Sequence, residues 1–325
     1  MPEVKALEVN VTGSVPLHLR LSLTDHCQLG CVYCRPAVRQ PSSPGLNDDQ
    51  IVALVAALAA LRPLGTLRLT GGEPLLRPGL PELVARLATL GIEDLALTTN
   101  GLGLVELAPR LRAAGLRRVN ISLDALDPEI FARVSGGGQV AAVRAGIGAA
   151  QAAGLRPIKL NTVVIAGVND GQIEALLDHA LDLGCEQRFI ELMPIGPGAD
   201  WFEQGFLATA TIRARLAQGY DLRPLGREGG RSAERWQVID AQGRHGTVGF
   251  ISSCSDPFCA VCARLRISAD GRLLGCLARD DGIALPPLLA SEDPAALGAA
   301  VNRALAGKRS DARFAQSHAM VEIGG

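Results

Sequence analysis

"LHLRLSLTDHCQLGCVYC", residues 17–34, runs a short alternating stretch, Leu17 to Leu23, directly into three cysteines, Cys27, Cys31 and Cys34. Alternation of apolar and polar side chains is the pattern of a half-buried strand. Three residues separate the first pair of cysteines and two the second, so three thiolates gather just beyond a strand's C-terminal end. Structural zinc takes four tetrahedral ligands, one more than this loop offers. An iron–sulfur cubane has four irons, and three thiolates leave one iron open to another ligand.

Working outward, the same arrangement recurs. Strand-like runs fall at Thr66–Thr70, Leu95–Thr98, Arg117–Leu123, Ile158–Ile165 and Arg188–Leu192, with helical periodicity between them at Asp48–Leu61, Gly79–Leu90, Leu104–Ala114, Val140–Ala153 and Asp170–Leu183. Six strands alternating with helices predict an α/β fold with a parallel sheet and right-handed crossovers, either open or a barrel that does not fully close. The polar and glycine-rich segments all follow strands: Gly71-Gly72-Glu73-Pro74 the second, Thr98-Thr99-Asn100-Gly101 the third, Ser122-Leu123-Asp124 the fourth. Lys159 and Asn161 lie in the fifth, and Arg188, Glu191 and Met193 in or after the sixth. Any one glycine pair reads as a tight turn. Their recurrence at one end of successive strands points to a barrel mouth, where reactive groups collect.

Beyond Met193 the alternation stops, and strand-like pieces at Arg235–Asp240 and Gly246–Ile251 suggest a second, smaller layer. They lead to "CSDPFCAVCARLRISADGRLLGC", residues 254–276, where Cys259 and Cys262 form a C-x-x-C pair and Asp270-Gly271 signals a hairpin that returns Cys276 toward them. Spacing alone leaves a cluster and a zinc site completed by Cys254 both open for this group. Arg264 and Arg266, two apart on a strand, share a face. The chain thus divides into 1–193, a barrel core, and 194–325, which carries the second cysteine group.

With 325 residues, 48% of them hydrophobic, the chain buries a substantial core. A formal net charge of −1 gives no bulk attraction to nucleic acid or to an acidic membrane. The longest clean apolar run, Ile51 to Leu61, is shorter than the roughly 20 residues that span a bilayer, and no secretory pattern precedes it. A small-molecule partner and a cytoplasmic location are the expectations. In a reducing compartment the eight cysteines favour metal over disulfides. Cys185 reads as a buried apolar residue in a helix-to-strand turn.

"CQLGCVYC" followed by "GGEP" resembles the radical S-adenosylmethionine superfamily. "LRLSLTDHC", "LTTNG", "VNISLDALD", "IKLNTVVIAGVND", "RFIELMPIG", "FCAVCARLRISADGRLLGCL" and the terminal Gly324-Gly325 extend the likeness over nearly the whole chain to the GTP 3',8-cyclase family of molybdenum-cofactor biosynthesis. That resemblance implies an incomplete (β/α)6 TIM-like barrel with two 4Fe-4S clusters, held by Cys27, Cys31 and Cys34 and by Cys259, Cys262 and Cys276. It implies S-adenosylmethionine contacts at Tyr33, Gly71, Gly72, Glu73, Ser122 and Met193. GTP contacts fall by the same likeness at Arg20, Arg68, Thr99, Lys159, Arg188, Arg264, Leu265 and Arg266, with Arg20, Gly324 and Gly325 assisting catalysis. A 5'-deoxyadenosyl radical would take the ribose 3' hydrogen, and that carbon would close on C8 to give (8S)-3',8-cyclo-7,8-dihydroguanosine 5'-triphosphate. A flavodoxin or ferredoxin type electron donor, a downstream cyclic pyranopterin monophosphate synthase and a homodimer are further implications.

The arginines also stand on physical grounds, since a buried triphosphate needs fixed cations and the guanidinium fork suits phosphate oxygens. Four positions depart from the family pattern: Thr66 stands where lysine is common, His26 for arginine, Arg35 for methionine and Ala263 for a polar residue. The expectation for the missing lysine is either weaker phosphate binding or a substitute cation, Arg39 or Arg68. Two other readings are a radical enzyme acting on a peptide, with the later cysteines holding an auxiliary cluster, and a non-catalytic zinc-binding protein.

Overall fold

The leucines of the first strand explain how the sheet is oriented. The computed structural model describes residues 16–34, 45–227, 230–259, 262–291, 293–308, 314 and 320–323. In β1 (Leu17–Ser22), Leu17, Leu19 and Leu21 are buried on the helix-covered face, which turns His18 and Arg20 to the other. In β2 (Leu64–Thr70), Leu67 and Leu69 do the same and leave Thr66, Arg68 and Thr70 on the inner face. β3 (Leu95–Thr99), β4 (Arg118–Ser122), β5 (Lys159–Val164) and β6 (Glu186–Glu191) continue the sheet in parallel and in sequence order.

The crossover helices lie where periodicity predicts them: α1 (Asp48–Leu61), α2 (Leu80–Ala88), α3 (Leu104–Ala113), then α5 (Val140–Ala152) and α6 (Ile173–Asp182), on either side of an unpredicted α4 (Pro128–Ser135). A reciprocal cap starts α1: the Asn47 side chain accepts from Gln50 N while the Gln50 side chain accepts from Asn47 N, both at 2.9 Å. α4 was missed because it is only two turns long, although Asp127 followed by Pro128 is a start signal: its carboxylate accepts from Glu129 N and Ile130 N.

The segment after Met193 is not a second layer. It supplies both flanks of the same sheet, whose twelve strands run β12-β11-β10-β1-β2-β3-β4-β5-β6-β9-β8-β7. After α7 (Gly198–Gly205) and α8 (Thr209–Leu216), the strands β7 (Asp221–Gly226), β8 (Glu234–Ile239) and β9 (His245–Ile251) attach through a parallel β6–β9 contact. On the far side β10 (Arg264–Ile267) lies parallel to β1, followed by β11 (Arg272–Leu274) and β12 (Ile283–Ala284). The predicted hairpin is present, with Gly271 at φ 81° in its turn. The helices α9 (Pro286–Ala290), α10 (Pro294–Ala306) and the one-turn α11 (Met320–Ile323) follow. The sheet stays open, which is the incompletely closed barrel expected from the six βα units. Among the described residues no helix is long and apolar enough to cross a membrane.

Candidate active site

Register assembles the site before any loop is considered. Arg20 on β1 pairs with Arg68 on β2 and with Arg266 on β10, so three guanidiniums stand side by side on the inner face of adjacent parallel strands. Strands lie roughly 4.8 Å apart, and like charges set directly opposite repel. The side-chain Nε of Arg20 and of Arg68 finds no hydrogen-bond partner among the described residues. Burial, with Arg266 and Arg68 next in effect, pushes Arg20 well below the usual arginine range; burial, Arg118 and Arg188 do the same to Arg68. Arg266 is pushed down to about 9 by burial and Arg264. Such a row is an anion site held ready.

Lys159 and Arg188 extend it on β5 and β6. Glu186 lies between them, 3.8 Å from Lys159 Nζ and 2.6 Å from Arg188 Nε. Burial lowers Lys159 to about 7. Burial opposes ionisation of Glu186, yet Arg188 and Lys159 hold its carboxylate below the usual range. Arg20, Arg68, Arg188 and Arg264 line both the main cavity and a smaller annex, and the annex adds Thr66, Arg118 and Lys159. Thr66 donates to Asp94 at 3.1 Å, and Asp94 also receives Arg118 at 2.6 and 2.8 Å.

All six predicted ligand cysteines line the main cavity, none in a disulfide. The first triplet is docked by three sets of bonds. Gly72 N donates to Thr24 O and Glu73 N to His26 O, each at 2.6 Å. Gly30 N and Val32 N donate at 3.0 Å to Ser135 O and Val134 O, carbonyls at the C-terminal end of α4 that the helix itself leaves unpaired. Tyr33 Oη donates to Asp124 Oδ2 at 2.8 Å.

Gly71 and Gly72 are required by the first of these. A Cβ on Gly71, whose φ is 149°, would lie 2.4 Å from Thr24 O, and one on Gly72 would lie 2.3 Å from His26 O. Glu73 sits differently from expectation. It is fully buried and does not line the cavity; its carboxylate accepts from Leu75 N at 2.9 Å, Thr99 Oγ1 at 2.7 Å and Asn100 N at 2.7 Å, tying the loops after β2 and β3 together. Burial raises it to about 7. Asn100 in turn directs Nδ2 at Cys27 Sγ, 3.9 Å away.

The second triplet is held by β10, the hairpin and a lysine that no motif announced. Lys308 Nζ donates to Arg264 O and, at 2.9 Å, to Gly275 O, with Cys262 Sγ at 3.9 Å. Arg264 Nε reaches Cys262 Sγ at 3.5 Å and Ala278 N reaches Cys276 Sγ at 3.4 Å. Burial works to raise the Cys262 thiol, but Arg264 and Lys308 outweigh it and hold it at about 6. Phe258 stacks between Arg227 and Arg264, 4.6 and 4.9 Å from its ring centre.

Tyr33, Gly71, Gly72, Ser122, Met193 and Thr99 also line the cavity. Leu265 does not: in register with Leu19, it is wholly buried on the helix-covered face, because neighbours on a strand alternate sides. Gly324, Gly325, Arg35 and Arg39 lie outside the described residues. Cys185 is buried between α6 and β6, as expected of an apolar residue, and burial raises it to about 11. Cys254 directs Sγ to Leu192 O at 3.5 Å, donates its amide N–H to Glu191 Oε2 at 2.8 Å, and is not part of the cavity wall, which leaves the proposed four-cysteine zinc site without its fourth thiol. Among the described residues no three His, Cys, Asp or Glu side chains close on a single-ion centre. Two groups of three thiols, with N–H donors aimed at Cys27, Cys262 and Cys276, fit clusters held by three cysteines each.

An open parallel sheet with this cysteine loop beyond its first strand defines a radical S-adenosylmethionine protein, and the model of the Radical SAM superfamily matches residues 21–180. The model Molybdenum Cofactor Synthesis C matches residues 185–314. A GTP 3',8-cyclase of Xanthomonas campestris pv. campestris (strain 8004) is 44% identical over 300 residues, covering 89% of this chain and 87% of its own. One from Heliobacterium modesticaldum is 45% identical over 267 residues, 80% of each chain, and one from Streptomyces coelicolor 40% identical over 292, covering 88% and 85%. The chain belongs to the GTP 3',8-cyclase family. Among solved structures, Streptococcus suis SuiB bound to S-adenosylmethionine shares the fold with a TM-score of 0.62 at 14% identity; the likeness covers 87% of this chain and 65% of SuiB.

Proposed function

We infer that this chain is the GTP 3',8-cyclase of molybdenum-cofactor biosynthesis, converting GTP to (8S)-3',8-cyclo-7,8-dihydroguanosine 5'-triphosphate with S-adenosylmethionine and two 4Fe-4S clusters. The observation that carries this reading is the convergence of both cysteine triplets on one cavity whose wall holds three guanidiniums in register on adjacent strands. Cys27, Cys31 and Cys34 hold one cluster, and Cys259, Cys262 and Cys276 the other. When bound, the first cluster and S-adenosylmethionine supply a one-electron route to a carbon radical strong enough to take a ribose hydrogen.

The chain's own residues then bind, orient and shield. Tyr33, Gly71, Gly72, Ser122 and Met193 form the cofactor wall, while Glu73 acts from behind it by fixing Leu75, Thr99 and Asn100. Arg20, Arg68, Arg264 and Arg266 meet the nucleotide, with Thr99 beside them; Lys159 and Arg188 take its phosphates in the annex, and Leu265 contributes backbone alone. The triphosphate's negative charges relieve the repulsion in the arginine row, which makes binding strongest where the free protein is least comfortable. Arg68 in the row and Arg118 in the annex surround Thr66, which supports Arg68 as the cation that stands in for the lysine common there.

This reading further implies a reductant of the flavodoxin or ferredoxin type, a cyclic pyranopterin monophosphate synthase acting on the product, and a homodimer in the cytoplasm. On this reading residues 1–193 supply the cofactor end together with Arg20, Arg68, Thr99, Lys159 and Arg188, and residues 194–325 add the second triplet with Arg264 and Arg266. The test is anaerobic reconstitution with iron and sulfide, then reduction in the presence of S-adenosylmethionine. Formation of 5'-deoxyadenosine that depends on added GTP is expected; formation without GTP, or none with it, overturns the reading.

A further inference from the structure

The fixed charges of the cavity are sorted by sign. Its cations, among them Arg20, Arg68, Arg264, Arg266 and Lys308, belong to the row and to the second triplet. Among the described residues that line it there is a single carboxylate, Asp124. It stands at the C-terminal end of β4, two residues past Ser122, and is 3% exposed. Both oxygens are fixed: Oδ1 accepts from Val163 N at 2.9 Å and Oδ2 from Tyr33 Oη at 2.8 Å. Asn169 Nδ2 pins the Asp124 carbonyl at 2.9 Å. A carboxylate kept in a wall with no cation bonded to it among the described residues has little structural reason to be charged, since a neutral amide would fill the same place by accepting from Val163 N and donating to Tyr33 Oη.

The two small molecules differ in charge. S-adenosylmethionine carries a sulfonium and an ammonium against one carboxylate, whereas GTP is a polyanion. A lone acid beside the first triplet would repel the nucleotide and attract the sulfonium compound. We propose that Asp124 is a binding residue for S-adenosylmethionine: held by Tyr33 and Val163, its carboxylate supplies the negative charge that favours the sulfonium centre and marks that end of the cavity against the triphosphate. This rests on the reading of the cavity as a cofactor site.

S-adenosylhomocysteine isolates the claim, because it keeps the adenosine, ammonium and carboxylate and replaces the sulfonium with a neutral thioether. Dissociation constants for both compounds are measured by calorimetry at pH 8 on anaerobically reconstituted full-length protein, as wild type, Asp124→Asn, Asp124→Ser and Tyr33→Phe. Asp124→Asn retains an acceptor for Val163 N and a partner for the Tyr33 hydroxyl. Both neutral variants are expected to weaken S-adenosylmethionine by about tenfold and S-adenosylhomocysteine by less than about threefold. Tyr33→Phe, which keeps the charge, is expected to preserve the wild-type ratio. Equal weakening of the two compounds, or none, in whichever neutral variant takes up iron overturns the proposal. A wild-type protein that binds neither compound overturns the cofactor reading, and the proposal with it.

Discussion

Replacing Gly72 with alanine puts a methyl group 2.3 Å from His26 O, 2.5 Å from His26 C and 2.8 Å from Asp25 O. All three are backbone atoms of the segment leading into Cys27, so no side chain can swing aside. The methyl fits only if that segment lifts, which breaks the 2.6 Å bonds from Gly72 N to Thr24 O and from Glu73 N to His26 O. Overpacking costs about 1–3 kcal/mol and each of the two lost bonds about 1 kcal/mol, a total of roughly 3–5 kcal/mol borne by one loop. The second triplet, built on β10 and β11, is untouched. Reconstituted Gly72→Ala is therefore expected to hold about four irons per chain where the wild type holds about eight, and to lose binding of S-adenosylmethionine while retaining that of GTP. Iron analysis and calorimetry measure both. A variant with the full iron content and unchanged cofactor affinity would refute the view that the glycine pair exists to seat the cysteine loop.

Arg20→Met removes one member of a repelling row, so the GTP-free protein is expected to melt no lower than wild type while GTP binds about 10–100-fold more weakly; a large fall in melting temperature would contradict this. Lys308→Met leaves Arg264 O and Gly275 O without their donor, at about 1–3 kcal/mol, and the second cluster should then be lost to a chelator before the first. Simultaneous loss of both clusters would show that Lys308 does not act locally. Folding raises the Glu73 carboxyl from 4.5 to about 7, so the folded chain binds the extra proton and stability from this group falls as pH rises between those values. Relative to Glu73→Gln, the wild type should lose up to about 3 kcal/mol across that window. Denaturation curves from pH 5 to 8 that run parallel for the two proteins would exclude it.

Much of the barrel was readable because local signals carried it. Leu17, Leu19 and Leu21 announce one face of a strand, and the cysteine, glycine and asparagine segments announce its end. The flanks were not readable in the same way. That β10 lies parallel to β1 is a pairing across most of the chain, and no residue in "RLRI" encodes its partner; nor does anything in residues 235–251 announce that β9 continues from β6, which is why that stretch suggests a second layer. The site divides similarly. Cysteines and arginines stand out by type and spacing, whereas Lys308 belongs to no motif and matters only because two carbonyls from different strands converge on it. Asp124 carried a faint signal, its place after Ser122 at a strand's end. Glu73 was read as facing the cofactor from its motif, but the fold turns its carboxylate toward the neighbouring loop.

The continuous sheet has a consequence for how the molecule is made. The boundary near residue 185 that separates the two matched family regions is not a joint, since β6 goes on to β9 and β1 goes on to β10. As the chain leaves the ribosome, the outer edge of β1 stays bare until Arg264–Ile267 emerges, and an unpaired edge invites association with other nascent chains. Neither cysteine triplet faces a finished chamber before then, so metal loading belongs after synthesis, and a gene cut at that boundary would yield two sticky fragments instead of two working halves.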